Sequence, residues 1–274
     1  MSGALTIIEP RKGWNPIDFR ELWRFRELLY FLAWRDVKVK YRQTAIGVLW
    51  AVLQPVLAMA VFSVLFGRYA GMPSDGVPYP IFVFLGLLPW QYFAAVLGRS
   101  SQSVVSGAQM VTKIYFPRLI MPASSAIAAL PDFAIAGLVL GFLMAYYGVG
   151  VGAGVLLVPL LVLLTLMNAV GFGLWLSALN VKYRDVQFAV PFLIQLWMFV
   201  TPVLYPSSLV GGPYGILLAL NPMGGVIEAF RSAVLGHRPV PLPALAVSAA
   251  VGAVVFVAGL YYFRRVERHF ADVI

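Results

Sequence analysis

The sequence contains no cysteine, which excludes disulfides and thiolate metal sites and leaves the redox compartment unread. It has little charge: 11% of its residues are Asp, Glu, Lys or Arg, against roughly 25% in a soluble domain. Acid is scarcer than base, 11 carboxylates against 20 Lys and Arg. Histidine occurs twice, at His237 and His269, and no His/Asp/Glu cluster has metal-ligand spacing. There is no Gly-Lys dipeptide, hence no G-x-x-x-x-G-K-[ST] loop and no recognisable nucleotide site. The serines between Ser63 and Ser125 have no neighbouring histidine to activate them. Metal, nucleotide and serine chemistry all lack their residues. No enzyme is expected, and no cofactor in this chain; if the protein performs work, another subunit supplies the energy.

What the sequence has instead is apolar length. Hydrophobic residues make up 61% of its 274 positions, and the mean hydropathy is +0.86. Such a chain cannot cover a water-facing surface, which indicates an integral membrane protein. The formal charge of +9 is then better explained by basic residues flanking spans than by nucleic acid. The first 40 residues carry many charges and lack a continuous apolar core, so no cleavable signal peptide is expected and the first span serves as the insertion signal.

A transmembrane helix needs about 20 mainly apolar residues. Charge-poor stretches of that length predict six spans, at about 44–68, 78–98, 119–146, 153–178, 187–205 and 240–263. "YYGVGVGAG" at 146–154 divides the third from the fourth. "TPVLYPSSLVGGPYG" is too rich in Pro and Gly for one helix, so 206–236 is expected to be re-entrant, with short helices packed on protein before the last span. Six spans put both termini on one side. Seventeen of the Lys and Arg residues fall there and three, Arg68, Arg231 and Arg238, on the other, which makes the termini cytoplasmic. The expected fold is an all-α integral membrane protein: a cytoplasmic N-terminal segment (1–42), a transmembrane domain (43–263) and a cytoplasmic tail (264–274).

Within the N-terminal segment, Phe19, Leu22, Trp23, Leu29 and Tyr30 share a helical stripe between Asp18 and Tyr30, which predicts an amphipathic helix lying in the membrane interface. Arg26 falls on the apolar side, where it can snorkel. "DVKVKYR" at 36–42 alternates with period two, yet it is short and has no obvious partner strand; a helix or extended linker at the headgroups is expected. The charges Arg35, Lys38, Lys40 and Arg42 orient the first span.

Inside the spans, Asp132 sits near the middle of the third and follows Pro131. An intramembrane carboxylate is costly, so it is either hydrogen-bonded inside the bundle or lines a wet path. Glu228 and Arg231, three apart, suggest a local ion pair. Gly137 and Gly141 form a G-x-x-x-G step suited to close helix packing. Aromatics make up 14% of the chain. Tyr146, Tyr147, Tyr205 and Tyr214 suit the interfacial belts. Trp90, Tyr92 and Phe93 lie in the cytoplasmic half of the second span.

Four stretches carry a resemblance. They are "RDVKVKYRQTAIGVLWAVLQP" at 35–55, "KIYFPRLIMP" at 113–122, "LNVKYRDVQFAVPFLIQLWMFVTPVLYP" at 179–206, and "NPM" at 221–223 followed by Glu228 and Arg231. In this order between six spans, from about residue 20 onward, they resemble the membrane-spanning permease subunits of type-2 ABC exporters for polysaccharides: O-antigen, capsule and teichoic acid permeases. The resemblance implies a half-transporter that works as a homodimer with two copies of a separate ATPase subunit, which would bind ATP and Mg. It implies that the 101–122 loop docks on that ATPase, through Lys113, Tyr115, Phe116, Pro117 and Arg118. It implies a lipid-linked polysaccharide, most naturally O-antigen, moved across a bacterial inner membrane. Arg35, Lys38, Lys40 and Arg42 would then attract its anionic headgroup, much as basic juxtamembrane residues attract anionic lipids. Sugars can rest apolar faces on aromatic rings, so Trp90, Tyr92 and Phe93, with Asp132, become candidates for the translocation path, Trp90 foremost because it follows Pro89.

Two other classes compete. A secondary, proton-coupled transporter of lipids or small molecules would use Asp132 as proton carrier. A membrane enzyme acting on lipid-linked sugars would need acidic loop clusters, which are missing. Within the ABC class, an exporter of drugs or small lipids is the nearest rival.

Overall fold

The computed structural model describes residues 19–42, 47–210, 218 and 220–270. Parts of the segments expected at 1–42 and 206–236 (with Tyr214) and of the tail lie outside these residues, as do positions 43–46. All regular structure among the described residues is helical.

Proline and glycine punctuate the chain. Helix α1 (Phe19–Arg24) leads into α2 (Arg26–Arg42). The next helix, α3 (Leu49–Phe62), contains Pro55 and continues as a π-helical stretch, Ser63–Tyr69. Then come α4 (Tyr79–Ser106), α5 (Ala108–Lys113), α6 (Ile120–Ala128) and α7 (Leu130–Tyr146). A 3-10 turn, Ala153–Leu157, precedes α8 (Val158–Lys182), which is followed by α9 (Val186–Val200). Last are α10 (Gly224–Leu235) and α11 (Leu242–Val266). Pro80, Pro131, Pro159 and Pro243 each stand in the first turn of a helix, where a missing N–H costs nothing. Gly236 ends α10 in the left-handed conformation, with φ of 67°.

Among the described residues, five stretches are long and apolar enough to cross a membrane: Leu49–Tyr69, Tyr79–Ser106, Ile120–Tyr146, Ala153–Lys182 and Leu242–Val266. The stretch expected as a span at 187–205 differs, since α9 has 15 residues and stops at Val200. Thr201 precedes Pro202, whose ring disfavours the α region for its neighbour; Thr201 is accordingly extended, with ψ of 143°. The second span, expected at 78–98, runs on to Ser106, so the 101–122 loop starts inside α4. Three of its serines return their hydroxyls to nearby carbonyls: Ser101 to Gly98, Ser103 to Ser100 and Ser106 to Ser103. These local bonds satisfy the hydroxyls without breaking the helix.

Helix α4 is the central post. In its most apolar window 78% of residues are buried, against 11–28% in the other four, so α4 faces protein and they face outward. It packs most extensively on α8, and α8 on α11. In lipid, close packing between helices relies on small residues. The α8–α11 seam supplies them: a Cβ on Gly171 would lie 2.8 Å from the Phe256 Cα, and one on Gly259 would run into the Gly171 carbonyl. The expected step at Gly137 and Gly141 plays no such part in this chain, because neither has a neighbour within 4 Å of a built Cβ.

The "DVKVKYR" stretch is helical and closes α2, which lies along α6. The expected interface stripe divides into two faces. Leu22, Phe25, Leu28 and Leu29 pack toward a core with Leu32, Phe116 and Phe270. Trp23, Tyr30, Phe31 and Trp34 point outward. Arg26 lies over the Trp23 ring at 5.3 Å.

Candidate functional site

Helix α2 carries one basic side chain inward. Leu29, Leu32 and Ala33 set its packed face, and Lys40, two to three turns further on, continues that face. Its Nζ donates to the Asp132 Oδ2 at 2.5 Å. The adjacent Tyr41 hydroxyl donates to the other carboxylate oxygen, Oδ1. Arg99, on α4, brings its Nη2 to 3.7 Å from Oδ2. Burial, and then the hydrogen bond to the carboxylate, push the Tyr41 phenol well above its ordinary value, so it stays a proton donor. Asp132 can reach all three because α6 ends at Ala128 and α7 restarts at Leu130. Pro131 in that first turn forces the break, and Asp132 follows it.

These charges border a cavity of about 300 Å³ between the end of α2 and helices α3, α4 and α7. Trp50, Gln54 and Gln91 also line it. Two cations converge on one carboxylate beside neutral amide donors, so the cavity carries a surplus of positive charge and favours an anion.

The candidates for the headgroup separate here. Lys40 turns inward. Arg35 is exposed and pairs with its neighbour Asp36 at 2.9 Å, Lys38 lies over the Trp34 ring at 5.5 Å, and Arg42 is exposed. The candidates for the path separate too. Trp90 and Phe93 are buried inside the chain, both packed on Trp197. Tyr92 is also buried, but it lines the cavity and its hydroxyl donates to the Ala126 carbonyl at 3.3 Å. Helical geometry explains the split: one turn of α4 aims Trp90 and Phe93 at α9 and Tyr92 at α6. Asp132 and Tyr92 therefore meet Lys40 at one site, while Trp90, the foremost candidate on sequence grounds, is core.

The 101–122 stretch forms an elbow. After α5, Ile114 is extended, 115–117 form no regular element, and α6 begins at Ile120. Phe116 is buried, 4% exposed, in the cluster that holds Leu32, Phe263 and Phe270. Arg118 lies over the Phe270 ring at 5.8 Å. Between them Pro117 fixes the backbone. Ile114 and Tyr115 are thereby turned out, 60% and 66% exposed, beside Lys113. The Tyr115 hydroxyl donates to Glu21 at 3.0 Å, tying the elbow to α1. Phe116 is thus the post that shapes the elbow, and Ile114 and Tyr115 form its outer surface.

The expected local ion pair between Glu228 and Arg231 does not form: the Arg231 guanidinium turns instead to main-chain carbonyls. Buried in α10, it lies over the Phe82 ring at 3.8 Å. Its Nη2 donates to the Val203 carbonyl and its Nη1 to that of Tyr205 at 3.5 Å. Both carbonyls belong to the irregular stretch after α9, which offers no helical N–H for them. Gly86 leaves the room: a Cβ there would be 2.5 Å from both Nη2 and the Val203 oxygen.

Sequence reasoning missed Arg99, Tyr41, Gln54 and Gln91. Arg99 was legible only as a topogenic charge. Gln54 and Gln91 carried a signal, since an amide inside an apolar span needs a polar neighbour.

A bundle of apolar helices around α4, with a polar cavity and an exposed elbow beyond the span ends, has the plan of a multi-pass membrane protein. Comparison with known proteins gives the particular family. Residues 27–235 match the family described as ABC-2 type transporter, and the chain belongs to it. It is similar to the O-antigen export system permease protein RfbA of Myxococcus xanthus, 33% identical over 92% of this chain and 97% of that protein. It is similar also to an O-antigen export system permease protein RfbA of Klebsiella pneumoniae, at 26% over 90% and 95%. With the polysialic acid transport protein KpsM of Escherichia coli it shares 23% identity over 73% and 78%.

Proposed function

We propose that the chain is the permease half of an ATP-driven exporter that moves a lipid-linked polysaccharide, O-antigen in the first instance, from the cytoplasmic side across the bacterial inner membrane. It works as a homodimer with two copies of a separate ATPase subunit, which binds ATP and Mg. The observation that carries this reading is the near full-length identity to an O-antigen export permease, 33% over 92% of the chain. The excess of Lys and Arg at the end with α2, the elbow and the tail supports a cytoplasmic placement of that end. Six crossings, both termini cytoplasmic and a re-entrant 206–236 belong to this reading, with α9 and the stretch after it making the fifth crossing. The elbow is the docking element, led by Ile114 and Tyr115, shaped by Phe116 and Pro117 and flanked by Lys113 and Arg118. Lys40, with Arg35, Lys38 and Arg42 outside it, receives the headgroup.

Asp132 is held by Lys40, Tyr41 and Arg99, which favours the bonded reading of this carboxylate over the proton carrier. The test is co-purification with a candidate ATPase subunit, comparing wild type with Ile114→Asp. Stable association, hydrolysis that changes with it, and loss of both in the variant support the reading. Absence of association in the wild type overturns it.

A further inference from the structure

We infer that Asp132 is an internal stand-in for a phosphate: a phosphate-bearing headgroup entering the cavity displaces its carboxylate from Lys40 and Arg99. This deepens the proposed function, on which it rests for the side of the membrane and the source of the phosphate.

Several features converge on this. Both cations address the same carboxylate oxygen, Oδ2, at 2.5 and 3.7 Å. A carboxylate with one negative charge therefore bridges two positive ones. A phosphate or diphosphate has more charge and more acceptor oxygens, and Arg meets it through two parallel bonds. Gln54 and Gln91 bring neutral amides to the same space, and the Tyr41 hydroxyl already donates to the carboxylate's other oxygen. At about 300 Å³ the cavity has room for a diphosphate. Trp50, half exposed on its rim, offers an apolar face to the start of a lipid tail.

Displacement has a mechanical consequence. Asp132 is the tie between the end of α2 and the start of α7, placed directly after the α6–α7 break. When a phosphate takes the cations, α7 is released from α2 at its most bendable point. The other end of the N-terminal helical segment reaches the elbow through Glu21 and Tyr115, and α2 spans about 25 Å between the two. Headgroup occupancy is thus connected to the elbow through α2 and the adjoining α1.

The experiment is isothermal titration of the purified full-length chain with three probes: inorganic pyrophosphate, farnesyl diphosphate, and farnesol as the phosphate-free control. Both phosphate probes are expected to bind and farnesol not. Comparable affinity for the two would identify phosphate alone as the ligand, and binding of farnesyl diphosphate only would identify a lipid headgroup. Asp132→Asn removes the competitor and tightens binding about three- to tenfold, whereas Arg99→Gln and Lys40→Gln weaken it by a similar factor. Opposite signs separate this from general damage to the fold. If neither phosphate probe binds, or if Asp132→Asn weakens binding or leaves it unchanged, the inference falls. No ATPase is present in the titration. A chain that couples to its ATPase but binds no phosphate keeps the proposed function and loses this inference, and the converse result does the reverse.

Discussion

Replacing Gly171 by alanine puts a methyl group 2.8 Å from the Phe256 Cα and 2.9 Å from its nitrogen. Both are backbone atoms, so no side chain can swing away and α8 and α11 must part. Ordinary contact begins near 3.4 Å, so the helices separate by about 0.6 Å, enough to forfeit a quarter or more of the local dispersion energy. Overpacking of this kind costs up to about 3 kcal/mol, and the better helix propensity of alanine returns about 1, leaving about 2 kcal/mol of destabilisation. Gly137→Ala and Gly141→Ala meet nothing within 4 Å and keep only the propensity gain, about 1 kcal/mol each. For a chain of this size 1 kcal/mol moves the melting temperature by about 2–4 °C. Gly171→Ala should therefore lower the unfolding midpoint of the detergent-purified protein by about 4–8 °C, and Gly141→Ala should raise it by about 2–4 °C. The assay is the fraction remaining monodisperse after heating. A midpoint for Gly171→Ala within 1 °C of wild type, or a lower one for Gly141→Ala, would refute the assignment of the close seam to α8 and α11.

Gly86→Ala drives a methyl against Arg231 and the Val203 carbonyl, and should cost at least about 1 kcal/mol, about fivefold in the folded-to-unfolded ratio, read as a lower midpoint in the same heating assay. Phe116→Asp places a charge in the cluster with Leu32 and Phe270, so it should lower the melting temperature of the permease by itself, whereas Ile114→Asp should leave that temperature unchanged and affect association with the ATPase alone. Burial holds the Glu267 carboxyl above its usual range, against the pull of Arg264. The folded state then binds the proton more readily than the unfolded one, so this group's contribution makes the protein more stable as pH falls toward the acid range. Glu267→Gln should abolish that part of the pH dependence, measured as melting temperature between pH 7 and pH 5, and an unchanged slope would count against it.

The residues that bind the cations to Asp132 show where reading the sequence stops. Pro131 and Asp132 were legible as a costly pair, and Lys40 as a basic residue beside a span. That they meet depends on α2 lying along α6, a packing between segments more than 90 residues apart in sequence. Arg231 is similar. Its partners are bare carbonyls at Val203 and Tyr205, and no side-chain pattern announces a carbonyl without a donor.

The sequence by itself determined that this is a helical membrane protein and where its helices start. It also determined the basic end of the bundle and the kinship to polysaccharide permeases. Hydropathy, proline, glycine and charge act locally, over the length of one span, and each leaves its mark in adjacent residues. Only the tertiary structure decided which face of each helix is inside. It packed Trp90 and Phe93 on Trp197 and gave Tyr92 to the cavity, since all three are aromatics of one helical turn and the positions of the neighbouring helices tell them apart. It passed over Gly137 and Gly141 and chose Gly171 and Gly259, because a glycine step permits a close approach without specifying the partner that makes it. It shortened α9 through the extended residue before Pro202, and it turned Phe116 inward while leaving Ile114 and Tyr115 outside. In a chain where 61% of residues are apolar, lipid and protein interior look alike to a side chain, so burial is settled by shape and by the few polar groups that must find one another.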